Sequence, residues 1–66
     1  MIIKLNNKDH EIEEGISLAA FIENIGLKPD GIAVAINYEV VSKDQWSETI
    51  LHDKQELMLI QAVSGG

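Results

Sequence analysis

Large apolar residues in this chain recur first at every second position, then at helical spacing, then at every second position again. Over residues 1–5 the alternation puts Met1, Ile3 and Leu5 on one face and Ile2 and Lys4 on the other, which predicts a short strand. Residues 6–9 carry hairpin chemistry, because Asn tolerates a positive φ. A second strand is predicted over residues 10–13, polar enough to suit a sheet edge, where charge discourages pairing with other molecules. The period then changes. Leu18, Phe21, Ile22 and Ile25 form one helical stripe, with Ser17 as N-cap and Ile16 and Phe21 at the positions of a hydrophobic staple. Gly26 fits the C′ position, Leu27 can close back on Ile22, and Pro29 bars continuation.

Residues 32–36 alternate large and small side chains as a strand, and Asn37-Tyr38 can reverse the chain into another at 39–41. Ser42 followed by Gln45 resembles a capping box over one helical turn, and Trp46 is expected to pin that segment to the core. Ile50 and Leu51 add an extended piece before a turn at 52–55, and the last strand is predicted over 56–63. The order β-β-α-β-β-β describes an α+β domain in which one helix covers one face of a sheet. The first and last strands are expected to lie side by side in its middle, running parallel.

The last strand is apolar on both faces. With Leu57 and Leu59 inward, Met58 and Ile60 fall on the uncovered face, joined by Ile2. Such a patch on a small domain suggests partner docking, and Met suits adaptable contacts; a covering loop or a self-contact is the alternative. Beyond this strand come Ser64, Gly65 and Gly66. Without Cβ atoms the glycines form a thin tether whose carboxylate can thread into a narrow site, the alternative being a frayed terminus. The domain is therefore read as residues 1–63, with 64–66 a flexible tail.

Composition narrows the chemistry. Sixty-six residues with 45% hydrophobic content allow one small core despite a net charge of −6. No apolar run approaches a membrane span and no signal-like segment is present, which favours the cytoplasm and no membrane partner. Cysteine is absent, excluding disulfides and thiolate metal sites. Five scattered lysines among eleven acids make no phosphate-tracking groove, so no nucleic acid is expected. The acidity instead aids solubility and steers encounter with a basic protein surface. His10 and His52 fit no relay or metal spacing, Asp44 and Glu48 lack a third ligand, and no glycine-rich phosphate loop occurs. The expectation is a chain with no catalytic residues, no metal and no bound cofactor: not an enzyme.

The segment Ala33-Val-Ala-Ile-Asn37, then Val40-Val41 and Gln45-Trp46, with Gly65-Gly66 after an apolar strand, resembles the sulfur carrier (ThiS) family of bacterial thiamine biosynthesis across essentially the whole chain. The resemblance implies the ubiquitin-like β-grasp fold, a mixed sheet of four to five strands on one helix. It also implies that Gly66 is the sulfur-carrying residue, with Gly65 and Ser64 recognised as its tail. An E1-like adenylyltransferase (ThiF-type) would use ATP and Mg to activate Gly66, and a cysteine desulfurase relay would supply sulfur. A thiazole synthase (ThiG-type) would accept that sulfur from the thiocarboxylate. The molybdopterin synthase small subunit, a ubiquitin-like modifier and a plain β-grasp interaction module are the alternatives.

Overall fold

Two adjacent asparagines begin the fold. Asn6 and Asn7 take φ values of 50° and 68°, the left-handed pair whose twist matches a two-residue hairpin. They join β1 (Ile2–Leu5) to β2 (Lys8–Glu11), registered Leu5↔Lys8 through Ile2↔Glu11. The turn is tighter than the four residues expected, so β2 begins at Lys8 and ends before the buried Ile12. The computed structural model describes residues 1–28 and 30–61, and the elements below are those of the described residues.

The helix α1 (Leu18–Asn24) starts as its sequence requires: the Ser17 hydroxyl accepts a hydrogen bond from the Ala20 amide at 3.1 Å. It ends in a Schellman closure. Leu27 N–H bonds the Ile22 carbonyl at 3.2 Å and Gly26 N–H bonds that of Glu23 at 3.0 Å, with Gly26 at φ 79°. Leu18, Phe21 and Ile22 are the buried stripe, and Ile16 and Ile25 pack against it from either end.

A second pair of left-handed residues, Asn37 and Tyr38 at φ 50° and 70°, links β3 (Ile32–Ile36) to β4 (Glu39–Val41). A 3₁₀ turn, Lys43–Gln45, follows. The capping box expected there does not close: Ser42 occupies the N-cap position but its side chain makes no capping bond. A single short turn leaves few orphan amides to satisfy. Trp46 does pin the segment, buried with its indole N–H donating to the Val41 carbonyl at 3.1 Å. Ile50 bridges to Ser17, which lets Leu51 bury fully below the helix start.

β5 (Glu56–Gln61) completes a five-stranded sheet of order β2-β1-β5-β3-β4. It pairs parallel to β1 and antiparallel to β3, so the last strand lies at the sheet centre, as expected, and the polar β2 lies at an edge. This is the β-grasp arrangement: a mixed sheet with one helix across one face. The predicted continuation of β5 through Ala62 and Val63 lies outside the described residues, as does the boundary between domain and tail.

Ile3, Leu18, Ile22, Val34, Leu51 and Leu57 are the largest fully buried side chains, drawn from β1, α1, β3, β5 and the segment before β5. Phe21 fills the space between them and meets the His10 ring edge-on at 5.7 Å. Replacing Phe21 by Ala should therefore destabilise the domain by about 3–5 kcal/mol. Denaturant unfolding measures it, and a loss under about 1 kcal/mol would place the ring outside the core.

Candidate functional site

The helix covers only one side of the sheet, so each strand's alternation sorts its side chains into a buried row and an open row. On β5 the buried row contains Leu57 and the half-buried Leu59; Met58 and Ile60 point outward, 40% and 49% exposed. The pairing Ala35↔Met58 and Ala33↔Ile60 sets small side chains of β3 beside these large ones. On the far side Ala35 pairs with Val40, which is 66% exposed. The open face therefore carries an apolar patch of Val40, Met58 and Ile60 around two alanines.

Ile2 does not join this patch. It is on the same face, half exposed, but the register Lys4↔Glu56 sets a charged pair between it and Met58. The parallel pairing is the reason. β1 and β5 advance in the same direction, so the beginning of β1 lies against the turn before β5 and not against the middle of β5. Ile2 borders a separate hollow with Lys4, Asp9, Asp53 and Lys54. Its backbone is tied there, its amide to Asp53 Oδ1 at 2.8 Å and its carbonyl to the Lys54 amide at 2.7 Å.

Val40 was missed as a patch residue because Glu39-Val40-Val41 does not show which valine faces out. The signal was present nonetheless. A two-residue turn at Asn37-Tyr38 forces Ile36 opposite Glu39 and hence Ala35 opposite Val40.

The strand bearing this patch also leads toward the terminus, so its anchoring matters. Asn37 secures its start with two bonds: Asn37 N–H to the Glu56 carbonyl at 2.8 Å, and Glu56 N–H to Asn37 Oδ1 at 3.2 Å. A hollow of about 270 Å³ between the two hairpin turns is lined by Asn6, Asn7, Tyr38, Glu56, Leu57 and Met58. Ser64, Gly65 and Gly66, expected to be the recognised tail and the sulfur-bearing end, lie outside the described residues.

The described residues contain no group of three or more His, Asp and Glu side chains able to hold a metal ion. No helix among them is long and apolar enough to cross a membrane.

Comparison with known proteins gives a consistent picture. The sequence model of the ThiS family matches residues 3–66. Over 66 residues the chain is 29% identical to the sulfur carrier protein ThiS of Escherichia coli (strain K12), covering 100% of each. It is also 29% identical over 66 residues to a thiazole synthase of Magnetococcus marinus; that match covers 100% of this chain but 20% of the longer protein. A crystal structure of the thiamine biosynthesis protein (ThiS) from Geobacter metallireducens superposes with a TM-score of 0.86 at 17% identity, covering 100% of both chains. The solution structure of a thiamine biosynthesis protein from the same organism gives 0.78 at 17% identity, covering 100% of this chain and 88% of the other. At that identity the structural likeness speaks for the fold.

Because Met58 and Ile60 project away from the core, Met58→Glu and Ile60→Glu should each leave the thermal midpoint nearly unchanged, with stability altered by about 0.5 kcal/mol or less. A loss near 3 kcal/mol, of the size seen for core truncation, would show these side chains to be buried.

Proposed function

Since the chain belongs to the ThiS family, we propose that it is a sulfur carrier of thiamine biosynthesis, acted on by enzymes and not itself a catalyst. The observation that supports this most is the match of the ThiS family model to residues 3–66. The reacting group is the Gly66 carboxylate.

A carboxylate is a poor acyl donor, because displacement would expel oxide. Activation requires a better leaving group. An E1-like adenylyltransferase with MgATP would let a Gly66 carboxylate oxygen attack the α-phosphorus, releasing pyrophosphate and forming the acyl-adenylate. The terminal sulfur of a persulfide, supplied through a cysteine desulfurase relay, then attacks the acyl carbon and AMP leaves. A second thiol cleaves the resulting S–S bond, becoming part of a disulfide, and frees the Gly66 thiocarboxylate. That anion presents a soft nucleophilic sulfur to a thiazole synthase. ATP and Mg belong to the activating enzyme; the carrier itself binds no cofactor in this scheme. Gly65 and Gly66 suit it because no Cβ obstructs the carbonyl or widens the segment that must enter a slot.

A partner must also identify the carrier, and the body offers two means. The apolar patch of Val40, Met58 and Ile60 provides area to bury, and the net charge of −6 favours a basic rim around its counterpart. Similarity of the whole chain to one-fifth of a longer protein named thiazole synthase supports an enzyme of that kind as a partner. A cytoplasmic location fits partners that consume ATP.

Intact mass after incubation with the adenylyltransferase, ATP and a sulfur donor tests the reading. The expected result is a gain of one sulfur for one oxygen, mapped to Gly66. Gly66→Ala, or one residue appended after Gly66, should abolish that gain while leaving thermal unfolding unchanged. Loading retained in either variant would refute the carrier reading.

A further inference from the structure

The parallel register between β1 and β5 is short, covering Lys4↔Glu56 and Leu5↔Leu57 before the chain turns away at Asn6. Asn6 nonetheless stays attached to β5. Its amide N–H bonds the Leu57 carbonyl at 3.0 Å, and its side chain continues along the strand. Oδ1 accepts from Leu59 N–H at 2.9 Å, and Nδ2 donates to the Leu59 carbonyl at 3.4 Å. A side-chain amide carries one acceptor and two donors, so it can serve as a peptide group lying across from Leu59. The left-handed φ of Asn6 lets the backbone leave the sheet while the side chain remains in the ladder.

We infer that Asn6 is a positioning residue for carrier function. Its carboxamide stands in for the missing next residue of β1 and holds the β1 side of β5 as far as Leu59. This rests on the sulfur-carrier reading. Leu59 lies between the two patch residues Met58 and Ile60, and the same strand leads toward Gly66. On the β3 side, pairing already runs to Ile32↔Gln61; on the β1 side, Asn6 supplies the hold beyond Leu57. Two-sided restraint fixes the course of the strand through Leu59 and the spacing of Met58 and Ile60. A partner that must dock the patch and receive the tail at once benefits from that fixed relation. Loosening one side lowers the fraction of carriers ready to bind, which raises the apparent KM for the carrier and leaves kcat in place.

Asn6→Gly tests this, because glycine keeps the left-handed turn and removes both side-chain bonds. Asn7→Gly is the control, altering the neighbouring turn residue and sparing the clamp. In Asn6→Gly, amide exchange at Leu59 should quicken about tenfold while that of Leu18 and Val34 is unchanged. The KM for the carrier in ATP-dependent sulfur loading should rise about three- to tenfold at unaltered kcat. Asn7→Gly should match the wild type in both. Asn6→Asp keeps the turn and the acceptor but loses the donor, so its KM should fall between the two; this variant also decides the matter should Asn6→Gly not fold. The inference is overturned if Asn6→Gly, or in its place Asn6→Asp, loads with wild-type KM, or if Asn7→Gly shifts KM as much. Failure of the wild type itself to load sulfur would instead count against the carrier reading.

Discussion

The parallel pairing of the first strand with the last is the constraint on which the rest of this structure depends. A parallel pair cannot be closed by a tight turn, so the chain must travel away and return between β1 and β5. That excursion is where α1, β3, β4 and the Trp46 turn are made. On return, β5 enters between β1 and β3 and takes the central place in the sheet. Leu57, fully buried, meets Leu5 on one side and Ile36 on the other. A strand bonded on both edges is the most restrained kind, and here it is the strand that leads in sequence toward Gly65-Gly66.

This arrangement separates two demands. On the function proposed above, the body has to be identified by a partner, whereas the Gly66 carboxylate has to enter that partner's site. Among the described residues β5 supplies the restrained part, bonded to β1 and β3 and leading in sequence toward Gly65-Gly66. The asparagines that open the two hairpin turns serve the same division. Asn37 fixes the start of β5 from the β3 side, and Asn6 follows the strand from the β1 side. Each residue is used twice, once for a left-handed backbone and once for a side chain that completes a ladder.

The open face is equally a product of topology. One helix can shield only one side of a five-stranded sheet, and the other side must either be polar or be used. Here the β2–β1 side and the start of β5 are charged, with Lys4, Asp9, Glu11 and Glu56. The β3–β4–β5 portion is apolar. The boundary between the two runs along Lys4↔Glu56, which is why Ile2 stands apart from Met58 and Ile60 although all three alternate correctly for the same face.

Local signals in the sequence determined the elements whose causes are local. Ser17 with the Leu18, Phe21, Ile22 stripe and Gly26 defined both ends of α1, because caps and helical spacing act within a few residues. Alternation marked the strands and placed Met58 and Ile60 on the uncovered side. The terminal Gly65-Gly66, with the Ala33–Asn37 and Gln45-Trp46 segments, carried the family resemblance. Tertiary structure decided what depends on partners far along the chain. The first hairpin needed only Asn6-Asn7, since pairing with β1 drew Lys8 and Asp9 into the ladder. Ser42 closed no capping box, because the segment makes only one short 3₁₀ turn with few amides to cap. The separation of Ile2 from Met58, the admission of Val40 to their patch, and the grip of Asn6 on Leu59 all follow from strand register. Register is a relation between distant segments, and no single segment contains it.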